Sequence, residues 1–163
     1  MSIAFVSGNL LDAKLDALVN PVNCVGIMGA GLALQFKWRF PENFNEYKRL
    51  CSEHKMQPGR VTAFRTSFDC PRFIINFPTK LHYKNPSKLK YIKSGLADLA
   101  ICISKIGVQS IAVPPLGCGL GGLRWFDVRP IIVDSLGSIP GLACFVYEPR
   151  NVLQEHLGES IIQ

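Results

Sequence analysis

The chain has 163 residues and a mass of 18.0 kDa, a size that suits one domain with a core large enough to need no disulfide or metal staple. Hydrophobic residues make up 48% and charged residues 18%, an ordinary globular balance, and no apolar run approaches the ~20 residues of a membrane span. The net charge of +6 has two readings, simple solubility or a polyanionic partner.

Ser2 to Val6 reads as a first strand. Ala17-Leu18-Val19 is a short apolar run ended by Asn20-Pro21, a buried strand leaving the sheet. The loop Gly26-Ile27-Met28-Gly29-Ala30-Gly31 then opens a helix from Leu32 to Arg39. Pro41 stops that helix and begins another, on which Phe44, Tyr47 and Leu50-Cys51 keep helical spacing. Val61 to Arg65 and Phe73 to Asn76 are strand-like. Asn85-Pro86-Ser87 predicts a helix start, and Leu89, Ile92, Leu96, Leu99 and Ile103 give that helix one apolar stripe as far as Gly107. Ser110 to Val113 is a buried strand, Trp125 to Leu136 a helix and Leu142 to Tyr147 a last strand. Strands alternating with helices imply a single three-layer α/β/α domain over residues 1–163, with a central mixed, mostly parallel sheet and antiparallel pairing at one edge.

The six cysteines (Cys24, Cys51, Cys70, Cys102, Cys118 and Cys144) never fall within two or three residues of one another, so no metal-ligand pair is expected. The first residues, MSIAFVSGNLLDAK, lack the basic start and long apolar core of a signal peptide. A cytosolic chain with buried or half-buried reduced thiols is the expectation.

Three unusual loops leave strand ends: Asn20 to Gly31, Phe77 to Tyr83 and Pro114 to Gly122. In open α/β sheets, ligands sit outside the carboxyl ends of the strands, so the three should converge on one pocket. Gly117-Cys118-Gly119-Leu120-Gly121-Gly122 fits the spacing G-x-G-x-x-G, but a dinucleotide fold needs several strands after such a loop and only one follows. Four glycines in six residues carry too much entropic cost for a plain turn, and backbone N–H groups without side chains in the way suit a phosphate. The second glycine-rich loop, Gly26 to Gly31, points to a ligand with two phosphates, or a phosphate and a sugar. Asn20 and Asn23 either form the turn or hydrogen-bond ribose hydroxyls. Lys80, Lys84, Lys88, Lys90 and Lys93 are interleaved with His82, Tyr83 and Tyr91. That pattern is a solvated helix face or a track for a nucleic-acid strand.

Val19-Asn20-Pro21-Val22-Asn23, Gly29-Ala30-Gly31-Leu32-Ala33 and Pro115 to Leu123 resemble macrodomain motifs in order and spacing, and the resemblance covers nearly the whole chain. Asn76-Phe77-Pro78-Thr79-Lys80 with His82-Tyr83 is similar to the DarG-type subgroup, antitoxins that remove ADP-ribose from DNA; the human terminal ADP-ribose protein glycohydrolase has a similar lysine. The resemblance implies ADP-ribose as ligand, held by Asn9, Leu10, Asn20, Asn23, Gly29, Gly31, Leu32 and Thr79 on one side. Pro115, Leu116, Gly117, Cys118, Gly119, Leu120, Gly121 and Gly122 would complete the site on the other. It implies Lys80 and Asn23 as catalytic residues, no cofactor and no metal.

Lys80 would act as a neutral amine attacking the anomeric carbon, or as an ammonium assisting the departing thymine. Asn23 would orient the distal ribose. His82, Tyr83, Lys84 and Lys88 would hold the single-stranded DNA that carries the modified base. Two departures bear on this. Asn9 stands where many macrodomains have Asp, and Gly121 stands where the human protein hydrolase has an acidic residue, which turns the expectation toward a DNA-linked substrate. A DarT-like toxin is then the implied partner, and a monomer is expected. A non-catalytic ADP-ribose reader, and a hydrolase of ADP-ribose esters on protein Glu or Asp, are the competing functions.

Overall fold

The computed structural model describes residues 3–150, which leaves Ser2, the expected start of the first strand, outside the described residues. Six strands form one sheet: β1 (Ile3–Val6), β2 (Ala17–Val22), β3 (Thr62–Arg65), β4 (Phe73–Pro78), β5 (Ser110–Val113) and β6 (Ala143–Tyr147). Their order is β1-β6-β5-β2-β4-β3, parallel throughout except that the edge strand β3 runs antiparallel to β4. The helices are α1 (Gly31–Arg39), α2 (Pro41–Ser52), α3 (Leu89–Ile106) and α4 (Trp125–Leu136). None is long and apolar enough to cross a membrane.

Side chains alternate across a strand, and the core divides accordingly. Ala17 and Val19 face the cluster that includes Leu96, Leu99 and Ile103 of α3 and Trp125, Val128 and Ile132 of α4. Leu18, Ile74 and Ala112 face Phe36 of α1, and Val22 and Met28 meet Tyr47 of α2. The stripe expected on α3 is the face it buries, and Gly107 ends that helix in the left-handed conformation (φ 71°).

Several boundaries differ from the sequence reading: β4 runs past Asn76 to Pro78, other ends shift by a residue, and two further differences bear on the site. Strand β2 does not stop at Val19 but continues through Asn20 and Pro21 to Val22, because β4 pairs with all six of its residues. Its pairing to β5 covers only Ala17 and Leu18. Proline cannot donate to a ladder, and the ladder toward β5 has ended before Pro21. Helix α3 begins at Leu89 and not at Asn85-Pro86-Ser87. Ser87 is committed to a long-range bond, its N–H donating to the Gly121 carbonyl at 2.9 Å. Of the cysteines, Cys51 and Cys144 are buried and Cys24, Cys102 and Cys118 half-buried, whereas Cys70 is exposed, against expectation.

Candidate active site

Five parallel strands present their carboxyl ends on one edge of the sheet. β5, β2 and β4 are neighbours, and the loops leaving them enclose a cleft of about 600 Å³. The cleft opens where β2 and β5 part, at Pro21, Val22, Pro114 and Pro115.

The first wall is the segment after β2 and the start of α1, with Asn23, Ile27, Gly29, Ala30, Gly31, Leu32 and Ala33 lining the cleft. Helix α1 has no side-chain cap and no acidic residue in its first turn. Its unsatisfied N–H groups and positive dipole end therefore meet the cavity, a setting that favours an anion. The second wall is Gly117, Cys118, Gly119, Leu120 and Gly121. This loop closes on itself through Cys118 N–H to Pro115 O (3.1 Å) and Leu123 N–H to Gly117 O (3.0 Å). Gly117, Gly119 and Gly122 have positive φ, a conformation that resists side chains. Leu120, 75% exposed, leans toward the first wall: a Cβ on Gly31 would meet its Cδ1 at 3.7 Å.

The third side is the segment after β4, supplying Thr79, Lys80 and Tyr83. It is laced to the β2 loop. Thr79 N–H donates to Val22 O (2.9 Å), Cys24 N–H to Leu81 O (3.1 Å) and the Cys24 thiol to Lys80 O (3.6 Å). Burial pushes the Cys24 thiol up to about 11, with the Cys51 thiol adding to the shift, so at neutral pH it is a proton donor and no nucleophile. Lys80 is the one charged side chain lining the cleft among the described residues; no carboxylate faces it.

Asn23 lines the cleft, but its side chain is mostly engaged inward. Its Oδ1 accepts from Tyr47 Oη (2.7 Å) and Val25 N–H (3.0 Å), and its Nδ2 donates to Ile27 O (2.8 Å). Tyr47 also reaches the Asn23 carbonyl (2.9 Å), and burial raises its phenol far above its ordinary value. The sequence reading took Tyr47 only as a core residue on α2; nothing in its spacing signals that its hydroxyl fixes the cleft loop.

Several of the residues expected to contact the ligand do not line this cleft. Asn20 is fully buried beneath the cleft. The extension of β2 points it, like Leu18, toward the α1/α2 layer, where its Nδ2 donates to Asn76 Oδ1 (3.2 Å). Asn76 in turn exchanges two bonds with Asn43 of α2, at 3.1 and 2.8 Å. Leu116 is a core residue, and Leu10 packs with Leu18 and Phe36. Asn9 follows β1, two strands beyond β5 in the sheet, and stands outside the lining. Its Oδ1 accepts from Leu11 N–H (3.1 Å) at the head of a short 3-10 turn. Gly122 adjoins the lining without being part of it.

Of the expected DNA contacts, Tyr83 lines the mouth, and His82, Lys84 and Lys88 lie outside. His82 stacks on Tyr83 at 4.2 Å between ring centroids, and Lys84 Nζ lies 6.0 Å from the Tyr83 ring. No group of three or more His, Cys, Asp or Glu is placed to hold a metal among the described residues.

The Macro domain profile matches residues 19–132. A DNA ADP-ribosyl glycohydrolase of Thermus aquaticus is 47% identical over 148 residues, 90% of this chain and 41% of that protein. The chain thus spans about two fifths of the length of this curated relative. The macrodomain of Mycobacterium tuberculosis DarG superposes with a TM-score of 0.89 at 47% identity, covering 90% of this chain and 97% of that one. Thermosipho africanus DarTG in complex with ADP-ribose superposes with a TM-score of 0.86 at 32% identity, over 92% of this chain and 42% of that one. With the profile spanning most of the sheet and a near-complete match to a solved macrodomain, the chain belongs to the macrodomain family.

Proposed function

We propose that this chain is a DNA ADP-ribosyl glycohydrolase that frees ADP-ribose from thymidine in single-stranded DNA and so counters a DarT-like toxin. The observation that carries the reading is the chemistry of the cleft: one lysine, two walls of backbone donors and no carboxylate. The α1 N-terminus and the glycine loop suit a diphosphate held between them. Asn23 and Thr79 flank the distal ribose, and the adenine lies toward β1, where Asn9 stands. The relative from Thermus aquaticus is named for this activity, and the Thermosipho africanus structure contains ADP-ribose.

The reaction breaks the bond between the ribose anomeric carbon and a thymine ring nitrogen, and water supplies the new hydroxyl. Charge develops as a cationic sugar and an anionic base. Lys80, as an ammonium, stabilises and protonates the departing base, and the proton given up by the attacking water restores it. The DNA substrate sets the compartment, and the reading is of a cytoplasmic monomer acting on strands held along Tyr83, His82, Lys84 and Lys88.

The test offers two substrates, thymidine-linked ADP-ribosyl DNA and ester-linked ADP-ribosyl protein, and measures free ADP-ribose. Release from the DNA alone is expected. Release from the protein alone would overturn the reading, and tight ADP-ribose binding with no release from either would make the chain a reader.

A further inference from the structure

Gly121 differs from the other glycines of its loop. Gly117, Gly119 and Gly122 have positive φ and need glycine for backbone reasons. Gly121 has an ordinary φ, so its backbone would accept any residue, and the constraint there is space. A Cβ on Gly121 would overlap the Ser87 hydroxyl and stand 3.0 Å from Ser87 Cβ, tighter than nine in ten contacts that real Cβ atoms make. Gly117 meets the same residue, since a Cβ there would lie 3.2 Å from Ser87 Cβ.

Ser87 is 5% exposed, lies behind the glycine loop and is absent from the cleft lining. Its hydroxyl makes no hydrogen bond among the described residues. What holds it in place is the bond from its N–H to Gly121 O (2.9 Å) and the packing of its side chain under the loop. The segment that begins at Thr79 and carries Lys80 is tied at its start to the β2 loop and at its end, through Ser87, to Gly121. It is therefore a strap joining the two glycine-rich walls, with the lysine on it.

We propose that Ser87 is a positioning residue for the reaction proposed above: it props Gly121 and thereby sets where the ligand cradled by the glycine loop stands relative to Lys80. The inference rests on that functional reading. It adds that glycine at 121 is dictated from behind, by the volume of Ser87, and that the two positions must match in size.

A size swap tests it. Gly121→Ala forces the loop off Ser87, and Ser87→Gly leaves a void under it. Each change alone should lower kcat on ADP-ribosylated oligonucleotide by about tenfold with a smaller change in KM, because contacting positions couple. The pair Ser87→Gly with Gly121→Ala puts the new methyl into the new void and should recover kcat to within about threefold of the parent. Thermal midpoints and calorimetric ADP-ribose binding are measured on all four proteins. Recovery of kcat by the double variant supports the positioning role. Additive losses overturn it, as do losses that simply follow the thermal midpoint. Failure of the parent to bind ADP-ribose or to act on DNA would instead defeat the functional reading, so the two failures are distinguishable.

Discussion

Asn23 lines the cleft with an amide whose oxygen already accepts from Tyr47 and Val25, and Lys80 is the one charged side chain lining the cleft among the described residues. Lys80→Ala should lower hydrolysis of ADP-ribosylated DNA by roughly 10²–10⁴-fold while ADP-ribose binding, measured by calorimetry, is largely retained. Equal loss of both would assign the lysine to binding. Lys80→Arg keeps the charge without a usable amine, and measurable residual turnover is expected if the ammonium is the working form. A different residue, Asp16, just before the amino end of β2, bears on acid stability. Asp16 accepts two bonds from the Arg72 guanidinium, one of them at 2.6 Å, and a third from Gln109 N–H at 3.1 Å. The Arg72 bond holds its carboxyl below the usual range. A depressed folded pKa gives stability that is fully present above the unfolded value of ~3.9 and is lost as pH falls through the folded one. Asp16→Asn should therefore lower the thermal midpoint at pH 7, and the difference should close as both proteins are scanned below about pH 4; a pH-independent difference would place the effect in packing. At this scale the meeting of Lys80 and the two glycine loops on one cleft was legible in sequence, because it follows from the strand ends they leave. Asn20 was expected as a ligand contact from the motif resemblance; its burial follows from three more residues of strand, Asn20 to Val22, which only pairing to β4 reveals. The local signals of Tyr47 and Ser87 were those of helix residues, and neither pointed to the bonds they make far along the chain, to Asn23 and Gly121 respectively.

Helix α3 packs on β4 through a glycine. A Cβ on Gly95 would lie 2.7 Å from Phe77 Cε1 and 3.1 Å from Cε2, and Phe77 stands on the strand that delivers Lys80. Two effects oppose each other in Gly95→Ala. Helix propensity favours alanine by ~1 kcal/mol, whereas overpacking a filled core costs about 1–3 kcal/mol. The ring is fully buried and has little room to yield, so a net loss of about 1 kcal/mol is expected in urea unfolding, together with reduced turnover as the strand end shifts. Unchanged stability and turnover would show that Phe77 finds another rotamer. The elements themselves were largely readable. Ser110–Val113 and Trp125–Leu136 appear with the expected bounds because periodicity and local stops agree there. The start of α3 was misplaced because Pro86 and Ser87 look like a helix cap, while the tertiary bond to Gly121 takes Ser87 out of that role. The convergence of three loops was also readable, since it depends only on parallel strands with neighbouring ends.

Charge is distributed unevenly over the whole molecule. From residue 70 to residue 97 there is no Asp or Glu, while Arg72, Lys80, Lys84, Lys88, Lys90 and Lys93 fall in that span. The part nearest the cleft mouth combines cations with rings: Lys84 beside Tyr83, and Lys88 and Lys90 each with Nζ 5.7 Å from the Tyr91 ring. Aromatic faces stack bases and lysines neutralise phosphates, so a single strand entering at Tyr83 would run along the start of α3. Neutralising phosphates releases counterions, and for single strands the slope of log affinity against log salt is about −0.7 per phosphate contacted. Binding of an unmodified oligodeoxynucleotide should therefore weaken as salt rises. Lys84→Ala with Lys88→Ala should flatten the slope by about 1.4. In the proposed binding mode ADP-ribose is cradled by backbone away from these lysines, so it should bind the double variant with its parent affinity. A salt response that is flat in the parent, or unchanged by the double substitution, would remove the strand from this surface and leave the +6 charge as a matter of solubility.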